Sequence, residues 1–179
     1  MRGFSVLALL LASFLPLADA VAQQAKPHKL GDYQSWTAAV LGEGGQKVCY
    51  AFTRAIKAEG VPGRSANNVM LVVTHRPQGR DQVALQAGYT YPRNSNENGD
   101  PVQVTVGSRS FGFFTSGSSA FAREGHAAVA AFRAGSQAVA RGPAPNGKGQ
   151  ASETFSLSGF SAAYEAISKE CPAGGGGRR

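Results

Sequence analysis

The sequence predicts a mainly β domain: an antiparallel β-sandwich or squat barrel of about eight strands, with one inserted helix and a C-terminal helix. Three observations predict it. Short segments of alternating apolar and polar residues succeed one another, with Gly, Pro and Asn turn signals between them. No βαβ alternation and no internal repeat is visible, which leaves strands joined by short turns and therefore antiparallel pairing. Hydrophobic residues make up 42% of the chain and charged residues 16%, enough apolar surface for a core and too little charge for a polyelectrolyte or a charge-laced helical array.

The elements follow in order. Leu30 to Leu41, carrying Tyr33, Trp36 and Val40, reads as a strand, and Gly42-Glu43-Gly44-Gly45 turns it. Lys47 to Thr53 alternates, with Val48, Tyr50 and Phe52 on one side and Cys49, Ala51 and Thr53 on the other, which completes a hairpin. Arg54 to Arg64 contains Gly60, Pro62 and Gly63 and reads as a loop. Asn68 to Arg76 is an apolar, β-branched run. Pro77-Gln78-Gly79 turns it, and Gln82 to Tyr89 returns with Val83, Leu85 and Ala87 on one face.

After a polar loop over Tyr91 to Pro101, Val102, Val104 and Val106 alternate with Gln103 and Thr105. Gly107-Ser108 then turns the chain into Ser110 to Thr115. Ala122 to Ala134 is alanine-rich and ends at Gly135, the signature of a helix with a glycine stop. Ser136 to Gly142 and Ser152 to Ser158 resume as strands on either side of a Pro/Gly loop. Phe160, Ala163, Tyr164, Ile167 and Cys171 share one face of a terminal helix.

The first residues specify a destination. Met1-Arg2 is positive, Phe4 to Leu17 is an apolar run, and Ala18-Asp19-Ala20 and Ala20-Val21-Ala22 offer the small-x-small pattern of a cleavage site. Residues 1–22 therefore read as a secretory signal peptide, cleaved near Ala20 or Ala22. Residues 23–29 form a polar leader, residues 30–171 a single domain and residues 172–179 a flexible, Gly-rich basic tail. No later stretch approaches the ~20 apolar residues of a spanning helix. The mature chain is expected in the periplasm, at the outer membrane or outside the cell, with peripheral membrane association as the closest approach to a bilayer.

A net charge of +7 raises the question of nucleic acid. The basic residues, among them Arg54, Arg76, Arg93, Arg109 and Arg141, are scattered singly, and only Arg178-Arg179 touch. No stripe or run forms, so a nucleic-acid partner is not expected. A mildly positive surface facing anionic envelope lipid or glycan fits better.

Export also decides how the two cysteines are read. In an oxidising compartment Cys49 and Cys171 default to a disulfide, the alternative being two unconnected buried thiols. Their separation of 122 residues matches no metal or redox spacing. Closing so long a loop stabilises by on the order of 5 kcal/mol on the chain-entropy account.

Several motifs fall short. Gly142 to Gly149 has the spacing of a phosphate-binding loop, yet Gly149 stands where Ser or Thr holds magnesium, and a strand follows instead of a helix. Asn94 to Asp100 mimics half a calcium loop, but Asn94 replaces the first Asp and Thr105 the closing Glu. His28, His75 and His126 belong to no HExxH or HxH pattern, and no Gly-x-Ser-x-Gly elbow occurs, so each histidine reads as a surface or edge residue. No catalytic residue, metal or cofactor is predicted. Phe111, Phe113, Phe114 and Phe121 read as core, which requires both faces of their strands to be covered, with a partner-binding patch as the alternative.

Near the C-terminus, Thr154-Phe155-Ser156-Leu157-Ser158-Gly159-Phe160-Ser161-Ala162-Ala163, followed by Cys171, resembles the closing signature of the invasion-associated locus B family. Trp36, Lys47-Val48-Cys49-Tyr50, Val72-Val73-Thr74-His75-Arg76-Pro77 and Ala87-Gly88-Tyr89 lie upstream in the family's order, so the resemblance spans about Gly31 to Cys171. Phe121 stands in place of a customary Trp, and Pro143 to Gln150 replaces a Thr-rich approach to the last strand. The resemblance implies an exported envelope protein without catalytic residues or cofactor, from a family named for a host-cell phenotype.

The functional expectation is a non-enzymatic binding or accessory module with an envelope or surface protein as partner. Its alternatives are a small periplasmic hydrolase using His75 or His126 with a nearby Ser or Asp, and an apolar-ligand carrier with an interior cavity of at least ~300 Å³ lined by the aromatic strands.

Overall fold

Alternation of buried apolar and more exposed positions builds one antiparallel sheet, and the computed structural model describes it over residues 26–173. The predicted signal peptide, the first residues of the leader and the tail beyond Ala173 lie outside the described residues. The strands are β1 (His28–Tyr33), β2 (Trp36–Glu43), β3 (Gln46–Arg54), β4 (Lys57–Glu59), β5 (Met70–Arg76), β6 (Gly79–Gln86), β7 (Val102–Val106), β8 (Arg109–Ser116), β9 (Ser119–Ala122), β10 (Gln137–Pro143) and β11 (Gln150–Ser156). Helices α1 (Gly125–Ala134) and α2 (Phe160–Glu170) complete the chain. The lateral order is β1-β2-β3-β5-β6-β9-β8-β7-β10-β11-β4.

Eleven strands rather than eight arise for three local reasons. The first predicted strand breaks at Gln34, whose φ of 54° makes a tight turn between paired Tyr33 and Trp36. That turn contains no Gly or Pro to announce it. Strand β4 lies within the predicted loop, and β9 has only four residues, too short for periodicity to register. Because β9 claims Ala122, α1 starts at Gly125 rather than Ala122.

The sheet is large and open rather than a closed barrel, with β1 and β4 as its edges. It rolls until its far end meets its beginning. The Ala55 N–H donates to Val69 O at 2.9 Å, extending the β3–β5 ladder, and the next residue, Ile56, donates to Thr154 O on β11 at 2.8 Å. Two consecutive residues thus pass the chain from one ladder to the other, and the ladder itself is left unclosed.

The concave face holds the core. Leu71, Val73, Leu85, Val104, Phe113 and Phe155 alternate inward and are almost wholly buried. Helix α2 lays Phe160, Ala163 and Ile167 against it, with the Phe160 ring 4.7 Å from Trp36 and 5.6 Å from Phe132 of α1. The Trp36 indole N–H finds its acceptor in Ser156 O at 3.0 Å. Entry into α2 requires Gly159, at φ 88°, where a Cβ would collide with the Tyr33 carbonyl.

The four phenylalanines divide between the faces. Phe111 and Phe113 point inward and are buried, whereas Phe114 and Phe121 stack at 5.5 Å on the convex face and are half-buried. The Arg123 guanidinium lies 4.7 Å over the Phe114 ring. Reading all four as core asked for cover on both faces. The helices pack on the concave face, so Phe114 and Phe121 shelter each other instead.

Candidate functional site

The chain brings its chemistry-bearing side chains to the two ends of the roll. At one end, Cys49 on β3 and Cys171, just past α2, form a disulfide with Cα atoms 6.0 Å apart. The bond ties the last helical turn to the third strand.

Beside it the β5–β6 ladder carries a bulge. Thr74 pairs with Gln82 and Arg76 with Gly79, so His75 faces both Arg80 and Asp81. Asp81 adopts a φ of 54°, a left-handed conformation uncommon for any residue with a Cβ. The bulge turns its backbone N–H onto His75 Nδ1 at 3.3 Å. His75 Nε2 meets Ser168 Oγ of α2 at 3.2 Å, and Arg80 Nη2 donates to the same hydroxyl at 3.0 Å. Arg80 also donates to the Cys171 carbonyl.

The Asp81 carboxylate ties three elements together. Its Oδ1 accepts from Tyr164 Oη of α2 at 2.8 Å, and its Oδ2 accepts from His126 Nδ1 of α1 at 2.8 Å. Burial works to raise its pKa, but these two hydrogen bonds and the nearby His75 and His126 rings together outweigh burial and hold the carboxyl below its ordinary range. His75 is 1% exposed. Burial, reinforced by the Arg80 cation, lowers its pKa to about 4, so the ring is neutral at neutral pH.

The Asp81 N–H contact favours one tautomer. Nδ1 accepts the Asp81 N–H, so the ring proton sits on Nε2 and is donated to Ser168. A general base acting on Ser168 needs its lone pair on Nε2, with the proton on Nδ1 facing a carboxylate. Asp81 Oδ1 lies 3.8 Å from Nδ1, beyond hydrogen-bond range. Ser168, His75 and Asp81 therefore meet in space with the proton on the opposite nitrogen. The reading of His75 as a surface or edge residue is corrected: its place at an inward parity of β5, after Leu71 and Val73, buries it. His28 is exposed, and the His126 side chain is 91% exposed, with its Nε2 free toward solvent.

At the other end Arg64 and Glu153 form a buried ion pair at 2.6 Å, their side chains 3% and 2% exposed. Arg64 also donates to Ala87 O at 2.8 Å and Glu59 O at 3.0 Å, and lies 5.1 Å over the Tyr89 ring. Burial raises the Glu153 pKa against the pull of Arg64 and, with Glu153 nearby, pushes Tyr89 up to about 12. Tyr91, stacked 5.0 Å from Tyr89, is raised as well, again chiefly by burial.

The two loops with near-miss ligand spacing meet just outside this end. They enclose an open groove of about 330 Å³ lined by Pro92, Asn94, Ser95, Asn98, Gly147 and Gln150, among others. These side chains are not those of the aromatic strands, which an apolar-ligand carrier would use. Among the described residues no group of three or more His, Cys, Asp or Glu side chains is placed to hold a metal ion, and no helix is long and apolar enough to cross a membrane.

Sequence reasoning missed Arg64, Arg80, Asp81, Glu153, Tyr164 and Ser168. The available signal was parity: Asp81 precedes Val83 and Leu85, and Glu153 sits between Ala151 and Phe155, on the inward register of their strands. In comparisons with known proteins no family model matches the chain, and neither a curated protein nor a solved structure matches it.

Proposed function

We propose that this protein is a non-enzymatic binding or accessory module of a bacterial cell envelope, exported by residues 1–22 and contacting another envelope protein or a surface component. The observation that carries the reading is the disulfide between Cys49 and Cys171, a bond that persists in oxidising compartments and is rare in the cytosol. Kinship with the invasion-associated locus B family belongs to the same proposal. It is supported by the Ser158-Gly159-Phe160 turn, where Gly159 adopts φ 88° and Phe160 is buried, leading into the helix that delivers Cys171. The family name describes a phenotype, and no virulence role is inferred from it. The test is fractionation of the producing cell, N-terminal sequencing and cross-linked capture from envelope extracts. The expected result is a chain cleaved near Ala20 or Ala22, oxidised at both cysteines and cross-linked to one envelope component. An uncleaved, reduced chain in the cytoplasm overturns the proposal.

One observation favours a second reading, hydrolysis. Asp81, oriented by Tyr164, holds the Nδ1–H of His126 and leaves Nε2 open to solvent, as in the acid–imidazole half of a triad. Turnover of small esters that disappears in His126→Ala, with the melting temperature unchanged, supports that reading. Equal background rates in both proteins remove it.

A further inference from the structure

The groove between the loops carries the next step. We infer that it binds a saccharide bearing an anionic group, such as a carboxylate or a sulfate or phosphate ester. This rests on the binding-module reading and names that module's ligand.

The groove is anchored on both walls. Asn96 clamps the first loop to β8, its Nδ2 donating to Thr115 O and its Oδ1 accepting from Thr115 N, each at 2.8 Å. Tyr89 Oη donates to Pro143 O at 2.7 Å and holds the second loop. Pro92, Pro101 and Pro143 stiffen the walls further. A site fixed before binding loses less ordering entropy when a ligand arrives.

The lining selects the chemistry. Asn94, Asn98 and Gln150 present carboxamides, groups that both donate and accept, as neighbouring sugar hydroxyls do, while the Ser95 hydroxyl is paired with Thr115 Oγ1 at 2.5 Å and helps anchor the loop. No lining residue is ionisable or aromatic, so the floor suits neither a bare ion nor an apolar ligand. Gly147 and Gly149, at φ 70° and 82°, expose backbone on the second wall.

Charge enters at the rim. Arg93 stands between Pro92 and Asn94, and Lys148 between Gly147 and Gly149, so each wall carries one exposed cation. Among the described residues neither makes an ion pair, whereas Arg64, Arg76, Arg123 and Arg133 each do. Asp100 on the first loop is held by Arg123 at 2.9 Å, and Glu97, exposed on that loop and outside the lining as Arg93 and Lys148 are, leaves the rim with a net positive charge. Two free cations flanking a carboxamide-lined channel match hydroxyls in the groove and an acidic group at its edge. The volume of about 330 Å³ holds a short saccharide stretch.

The test is calorimetric titration of the exported chain with trigalacturonate, a heparin-derived hexasaccharide, neutral maltohexaose and polyglutamate, at low and high salt. At least one acidic sugar is expected to bind, with maltohexaose and polyglutamate weaker by about tenfold or more. The double variant Arg93→Ala/Lys148→Ala is expected to weaken acidic-sugar binding about tenfold and flatten its salt dependence. Asn94→Ala/Asn98→Ala is expected to weaken it while leaving the salt dependence in place. Polyglutamate binding as tightly as the sugars overturns the proposal, because charge alone then suffices. So does maltohexaose binding equally, or the absence of binding to both acidic sugars. Cross-linking to an envelope component that survives Arg93→Ala/Lys148→Ala, with no sugar bound, overturns the ligand and leaves the binding module standing.

Discussion

Cys49 and His75 are partners on one rung of the β3–β5 ladder, so the disulfide and the buried imidazole are neighbours on the inner face. The rung joins two kinds of constraint on α2. The covalent one holds its C-terminal end to β3, and the polar one runs from His75 to Ser168 one turn earlier.

The covalent constraint predicts that Cys49→Ser and Cys171→Ser each lower stability by up to about 5 kcal/mol. The double variant should lose no more than either single one, because one bond is broken in all three. Thermal melts of the four proteins check this, and an unchanged melting temperature in either single variant contradicts it.

Acid should weaken the fold through His75. The unfolded chain takes up a proton near the ordinary histidine value of 6.5, which the folded chain declines until about 4. Stability therefore falls as pH drops through that window, by roughly 3 kcal/mol in all, and this group adds no slope above it. Asp81 and Glu153 titrate with opposite signs, one depressed and the other raised, so the readout is a difference. Urea midpoints of the native chain and His75→Gln should diverge above the window and converge toward its acid end.

Arg64 and Glu153 should behave as a unit. Removing either partner strands a buried charge, so Arg64→Met or Glu153→Leu alone should cost about 3–5 kcal/mol. The double variant Arg64→Met/Glu153→Leu should cost far less than the two singles combined, and a double-mutant cycle from denaturant unfolding measures the coupling. Additive losses would contradict the pairing.

Gly159→Ala should be worse than conformation alone explains. A left-handed backbone costs an alanine roughly 1–2 kcal/mol, and here the new methyl also meets the Tyr33 carbonyl. Gly117→Ala, at φ 58° with nothing within 4 Å, isolates the first component. Equal melting temperatures for the two variants would mean that the α2 entry yields to the methyl.

Alternation made much of this legible in advance. Val83-Leu85 and Val102-Val104-Val106 face inward as their period-two pattern requires, the stripe from Phe160 to Ile167 packs as one helical face, and β3 alternates as read, although only the structure shows that Cys49, Ala51 and Thr53 form its inner side. The turn at Gln34 escaped because its positive φ is imposed by tertiary packing on a residue with no preference for it. The polar clusters escaped for another reason. His75 and Ser168 are 93 residues apart, and Arg64 and Glu153 89, so only the packing of α2 and of the loop after β4 onto the sheet brings them together. A charge on an inward register was visible; its partner was not.

The handover at Ala55 and Ile56 sets a timetable. Strand β3 pairs with β5, and β4, which follows it at once, pairs with β11, so the early half of the sheet waits for a segment translated almost last. Long-range closure of this kind is slow, and the β4–β11 pairing cannot form before Thr154 has been made. A polypeptide whose first strands are completed by its last one stays unfinished until its end emerges.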